Sequence, residues 1–256
     1  MPTTQAEPAP STIPSFTVVL LPGLDGTGLL FAPLTAALPT NVRPAVVRYP
    51  VDRVMSYEEL ATDVAGHLPQ GERFVLLGES FGGPLALLLA ARRPAGLVGV
   101  ILCATFVTSP RPWVGPLLRP FAKPWPFRLY PAYKRATPGA WAAAAEVSRL
   151  VRPDVIASRV RMVLSVDVRQ QLSGCPVPIL YLRAARDRLV PAANLHRIQQ
   201  LRPDVSAVNL PSPHQVLQRR PTESAAAIAR FAGSLADDPA PGWCNLMPAR
   251  RRADIM

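Results

Sequence analysis

The stretch from Arg73 to Pro94 constrains this chain more than any other. It reads Arg73-Phe-Val-Leu-Leu-Gly78-Glu79-Ser80-Phe81-Gly82-Gly-Pro84-Leu-Ala-Leu-Leu-Leu-Ala-Ala91-Arg-Arg-Pro94. Phe74 to Leu77 is an apolar run of strand length, and an apolar, helix-like run closes the stretch at Ala91. Between them lies Gly78-Glu79-Ser80-Phe81-Gly82, a G-x-S-x-G match. A serine at the apex of a strand–turn–helix must sit on strained backbone, with its hydroxyl held above the sheet. Strand and helix leave such an apex close together, so a Cβ two residues before or after would collide, and Gly78 and Gly82 fill those places. Pro84 falls in the first helical turn, where a missing N–H leaves nothing unpaired. Leu85, Leu87, Leu88 and Leu89 make the helix apolar nearly all round, as suits one buried against a sheet. The Ser and Gly content gives roughly 0.04 such matches by chance.

The flanking chain supplies the sheet. Phe16–Leu21, Pro44–Tyr49 and Leu97–Cys103 read as strands, and Phe31–Leu38 as a short helix. Tyr57–Leu68 reads as a helix with Leu60, Val64 and Leu68 on one face; Ser56 and Glu59 make a capping box at its start. Strand and helix alternate over 16–103, which predicts a mainly parallel α/β sheet with helices on both faces. From Thr105 the pattern breaks into a Pro- and aromatic-rich segment, followed by helical pieces at Ala140–Val151 and Pro153–Ser165. Residues 106–172 are therefore read as a small helical cap insertion over the C-terminal ends of the strands. The alternation resumes with a strand at Val177–Leu182, a helix at Ala192–Leu201, a strand at Val205–Leu210 and a helix at Pro221–Leu235. This gives one domain over 16–236, a disordered lead-in over 1–15 and a disordered basic tail over 237–256.

Composition narrows the function classes. No run is apolar enough to span a bilayer, and the Pro/Thr/Ala-rich start has neither the basic nor the apolar region of a signal peptide. Cys103, Cys175 and Cys244 are odd in number and far apart, which fits neither a disulfide framework nor a zinc site and favours a reducing, cytoplasmic setting. The formal charge is +11, nearly all of it arginine, since Lys123 and Lys134 are the two lysines. Apart from Arg250-Arg251-Arg252 the arginines are scattered, so no nucleic-acid partner is expected. Oligomeric state is not legible.

A serine hydroxyl needs a base to take its proton and a third group to orient that base. Of the three histidines, His67 lies in a helix before the serine and His196 inside a later one. His214 lies in the loop directly after the last strand, where reactive groups of an open α/β sheet gather, and is the candidate base. Asp187 follows the preceding strand and is the candidate acid. Asp204 precedes a strand, at its wrong end, and Asp154 and Asp167 fall in the insertion. Two N–H donors would receive an oxyanion: Phe81, at the head of the helix after the serine, and Leu24, in the Gly-rich loop Pro22-Gly23-Leu24-Asp25-Gly26-Thr27-Gly28. That loop lacks the Lys-Ser/Thr ending of a phosphate-binding P-loop.

The order Ser80, Asp187, His214 and the strand–turn–helix setting of Ser80 resemble the α/β-hydrolases of the serine esterase, lipase and thioesterase type, over about 16–105 and 174–235. The Pro-Gly-x-Asp-Gly loop is similar to that of relatives which include acyltransferases acting on lipid alcohols. The sequence departs from many relatives in carrying Pro22 before Gly23, Pro213 before His214 and Ala184 three residues before Asp187; none of these removes a catalytic group. The resemblance implies a cofactor-independent enzyme that cleaves a small-molecule carboxylic ester or thioester. Its alternatives are an acyltransferase or thioesterase on the same residues, or an inactive binding protein on the same scaffold.

Overall fold

The computed structural model describes residues 16–111, 146–147 and 149–236. The expected lead-in, the basic tail, the segment 112–138 and most of the expected Ala140–Val151 helix lie outside the described residues. In chain order the main elements are β1 (Phe16–Leu21), α1 (Ala32–Ala37), β2 (Val42–Val46), α2 (Tyr57–Ala65), β3 (Phe74–Glu79), α3 (Gly82–Ala91), β4 (Leu97–Cys103), α4 (Pro153–Ser165), α5 (Arg169–Ser173), β5 (Ile179–Ala184), α6 (Ala193–Leu201), β6 (Ser206–Leu210), α7 (Val216–Arg219) and α8 (Pro221–Ala236).

The six strands form one sheet in the order β2-β1-β3-β4-β5-β6, and every neighbouring pair is parallel. Parallel strands need helices on both faces to bury them, and both faces are covered. On one face α2, α3 and α6 pack Leu60, Leu87 and Ile198 against the sheet; on the other α1 and α8 contribute Leu34 and Ile228. Every residue of β1, β3 and β4 is buried, which is why their sequences are near-continuous apolar runs, broken by Thr17 in β1 and Glu79 at the end of β3, rather than alternating ones. The capping box at Ser56 is present in full: its hydroxyl accepts from Glu59 N–H at 3.2 Å, and the Glu59 carboxylate accepts from Ser56 N–H at 2.7 Å.

Two strands depart by two residues or more at both ends from their expected bounds. β5 runs Ile179–Ala184 rather than Val177–Leu182, starting after Pro178, which has no N–H to give a ladder. β2 begins at Val42 rather than Pro44 and ends at Val46 rather than Tyr49. It is an edge strand, so Pro44 sits within it without breaking a ladder on its outer side. Beyond Val46 the chain leaves the sheet and lies over the loop after β1, with Tyr49 N–H bonded to Gly26 C=O at 2.7 Å. The 106–172 segment leaves and returns at one point: Thr108 and Asp167 form an antiparallel bridge, and Val168 N–H donates to Val107 C=O at 2.8 Å. Among the described residues no helix is long and apolar enough to cross a membrane.

The strand order sets where a site can form. After β2 the chain crosses back to β3 on the other side of β1, so the loops leaving β1 and β3 diverge and open a crevice at the C-terminal edge. The Gly-rich loop and Ser80 are the two segments at that crevice.

Candidate active site

Ser80 follows β3 directly and has φ 52°, in the left-handed region that a residue with a Cβ occupies only under strain. The turn is as tight as the glycine spacing requires. A Cβ on Gly78 would run into the Gly82 carbonyl, and one on Gly82 into the Leu21 carbonyl of β1. The backbone of the apex is fixed on both sides. Ser80 N–H donates to Cys103 C=O at 2.9 Å, and Ser80 C=O accepts from Gly83 N–H at 3.1 Å and from the Thr105 hydroxyl.

The three candidate side chains meet although they are far apart in sequence. His214 Nε2 lies 2.9 Å from Ser80 Oγ, and His214 Nδ1 lies 2.7 Å from Asp187 Oδ2. The second carboxylate oxygen of Asp187 accepts from the N–H groups of Leu189 at 2.8 Å and Val190 at 2.9 Å. The Asp187 side chain is only 3% exposed, against 19% for His214. Two backbone N–H bonds fix the carboxylate in one orientation, so that its other oxygen aims the imidazole through one defined contact. The other histidines lie elsewhere: His67 bonds the Asp63 carbonyl on α2, and His196 is exposed on α6. Asp167 and Asp154 are each paired with a nearby surface arginine, and Asp204 with the half-buried Arg202.

The two candidate N–H donors are oriented by the carbonyls of their own peptides. A trans peptide sets N–H opposite C=O. Gly23 C=O is tied to Gly26 N–H at 3.1 Å, which turns Leu24 N–H away from that turn. Ser80 C=O is held toward α3, which turns Phe81 N–H away from the helix. The loop lies against the serine, since a Cβ on Gly23 would stand 3.9 Å from Ser80 Cβ. Phe81 is fully buried. Its ring stacks on Tyr57 at 4.7 Å, and its carbonyl accepts from the Tyr57 hydroxyl at 3.1 Å.

A cavity of about 270 Å³ opens onto these groups. Ser80, His214, Gly23 and Leu24 face it on one side, while Val160 and Val163 of α4 border it. Phe106, Leu189 and Val190 add to an apolar wall suited to a hydrocarbon chain or ring.

Three residues of this region were not singled out from sequence. Glu79 is 7% exposed and accepts from the Gln218 amide at 3.0 and 3.1 Å. A carboxyl ending a wholly buried strand was the available signal, but Gln218 lies 139 residues away. Burial pushes the Glu79 pKa up from 4.5 to about 7, against the pull of the Gln218 hydrogen bond and of the His214 charge. Between those values the folded chain holds a proton that the unfolded chain releases. The stabilisation is therefore full below about pH 4.5 and lost as pH rises through about 7, by roughly 3 kcal/mol. Urea unfolding of wild type and Glu79→Gln across pH 5 to 8 should show this loss in wild type and not in the variant; parallel curves would remove it. The third residue, Arg159, sits in the apolar stripe Val155–Ile156–Val163 of α4, where a lone cation was the signal.

With strand order, apex serine and hydrogen-bonded chain in view, the class of protein is defined: this chain belongs to the alpha/beta hydrolase family, whose model matches residues 18–243. Solved structures agree on the fold. An enol-lactonase from Burkholderia xenovorans LB400 is 22% identical, with 88% of this chain and 92% of that one covered and a TM-score of 0.67. The esterase RhEst1 from Rhodococcus sp. ECU1013 is 21% identical, with 86% and 91% covered and a TM-score of 0.64. A hydrolase from Pseudomonas aeruginosa PA01 is 19% identical, with 87% and 91% covered and a TM-score of 0.68. At these identities the likeness concerns the fold alone. No curated protein matches the chain.

Proposed function

We propose that the chain is a serine hydrolase that cleaves a small-molecule carboxylic ester or thioester through an acyl-enzyme. The observation that carries this reading is the unbroken chain Asp187–His214–Ser80, with contacts of 2.7 and 2.9 Å, ending on a strained serine at the cavity wall. Ser80 Oγ attacks the carbonyl carbon while His214 Nε2 takes its proton. Asp187 stays ionised, keeps the other imidazole proton on Nδ1 and stabilises the imidazolium. The N–H groups of Leu24 and Phe81 receive the oxyanion; the second lies at the positive end of α3. When the intermediate collapses, the bond to the leaving group breaks, and His214 returns its proton to the leaving alcohol or thiol. Water then gives a proton to His214 and attacks the acyl carbon. The carboxylic acid leaves as the proton returns to Ser80. The insertion over 106–172 acts as a cap whose α4 face borders the acyl pocket.

A serine-directed fluorophosphonate tests the reading. It should label wild type with one equivalent and leave Ser80→Ala unlabelled at the same melting temperature. A folded wild type that takes up no label would overturn the assignment.

A further inference from the structure

We infer that Arg159, on the insertion helix α4, is a positioning residue that holds the loop after β1 in the shape its oxyanion donor requires. The inference rests on the acyl-enzyme reading above, and it assigns to the insertion a part in the chemistry beyond covering the pocket.

Arg159 is 3% exposed. Its Nη1 donates to the carbonyls of Leu24 at 3.0 Å and Asp25 at 2.7 Å, and its Nη2 to the carbonyl of Pro50 at 2.8 Å. The guanidinium carbon lies 5.5 Å from the centre of the Tyr49 ring, within cation–π range. All three of these hydrogen bonds go to backbone carbonyls and none to a carboxylate. The Asp25 carboxylate, which lies nearby, is engaged by the Thr27 N–H at 2.9 Å and the Thr27 hydroxyl. A buried cation is costly unless it is hydrogen-bonded, and here two of these bonds go to the loop after β1 and one to Pro50, beyond β2.

What those bonds fix follows from the order of the peptides. The donor N–H of Leu24 belongs to the Gly23–Leu24 peptide, whose carbonyl is tied to Gly26 N–H. The preceding carbonyl, Pro22, accepts from the Tyr49 hydroxyl at 3.2 Å. The following two, Leu24 and Asp25, both accept from Arg159. Four successive carbonyls are thus held, two of them by one side chain reaching in from another element. Rotation of the Leu24 N–H would require breaking at least one of these bonds. Arg159 does not line the cavity that Ser80 faces; it acts through the loop.

A donor aimed where charge develops serves the transition state and not the bound substrate, so loosening it should lower kcat and leave KM unchanged. Removing an oxyanion donor outright costs about 10²–10³ in kcat; a loosened one should cost about 10- to 100-fold. We expect Arg159→Met, assayed on p-nitrophenyl butyrate, to lose kcat in that range with KM within about threefold. Binding of a trifluoromethyl ketone, which forms the tetrahedral oxyanion on Ser80, should weaken in proportion to kcat/KM. Arg159→Lys keeps the charge but not the fork, and should fall between the two; it carries the test if the methionine variant does not fold. A rise in KM at constant kcat, or unchanged kinetics in a folded variant, would overturn the inference. Wild type itself separates the two readings. If it fails to label with the phosphonate, the acyl-enzyme reading falls; if it labels and turns over while Arg159 variants match it, only the role of Arg159 falls.

Discussion

Replacing Ser80 by Ala should lower kcat for ester hydrolysis by roughly 10⁵- to 10⁶-fold, and replacing His214 by Ala should cost about as much. The size follows from the linkage of the two groups. With Nε2 2.9 Å from Oγ, the serine has no strength as a nucleophile without the base, and the base has no proton to take without the serine. The double variant Ser80→Ala/His214→Ala should therefore be no slower than either single one. Additive losses would show two independent contributions and break the proposed relay. The Ser80 variant should keep its fold, because Ala meets the same φ of 52° with the same Cβ and the backbone contacts to Cys103 and Gly83 do not involve the hydroxyl. Its melting temperature should stay within a few degrees, a shift of about 1 kcal/mol at most. Residual rate above the uncatalysed reaction is expected from the oxyanion donors and binding alone.

The parts of this architecture that were legible in sequence are those whose signal is local. β1 and β4 begin and end where their apolar runs do, because every residue in them is buried and Thr17, bonded to Glu72 and Arg43, is the one polar position in either. β2 was misplaced because it is an edge strand with three of its five residues exposed, so it carries little apolar signal and tolerates a proline that reads as a boundary. The short α7, which carries Gln218, follows the candidate base with no cap or periodic stripe long enough to mark it. Ser80, Asp187 and His214 could be picked out because a motif fixed the first and the ends of later strands limited the choice of the others. Arg159 with the Leu24 carbonyl and Glu79 with Gln218 span 135 and 139 residues, and no local rule links such partners. These are contacts that only the assembled sheet brings together. Glu79 adjoins Ser80 in the chain and Arg159 holds the loop that lies against it, so more of the chain is arranged around the candidate serine than its motif discloses.

Changing Asp187 to Asn should reduce kcat by about 10⁴-fold while leaving the fold in place. The geometry decides which way the new amide turns. In the native chain Oδ1 accepts two backbone N–H groups, from Leu189 and Val190, and Oδ2 faces His214 Nδ1. An asparagine has one oxygen, and the two backbone donors claim it. The amide nitrogen is then left against His214 Nδ1, where it donates. Nδ1 must become the acceptor, the imidazole proton moves to Nε2, and the nitrogen beside Ser80 Oγ can no longer take a proton. The loop itself is preserved, because the Leu189 and Val190 N–H groups keep their acceptor, so the melting temperature should move by no more than a few degrees. Asp167→Asn is the control. That carboxylate pairs with Arg169 at 2.6 Å with its side chain 48% exposed, a surface pair worth about 0–1 kcal/mol, and its loss should leave kcat within about twofold. Steady-state kinetics of both variants on one ester discriminate: a greater loss from Asp167→Asn than from Asp187→Asn would move the acid to the insertion. An Asp187→Asn enzyme that stays within about tenfold of wild type would leave Asp187 as a cap for the 189–190 turn and nothing more.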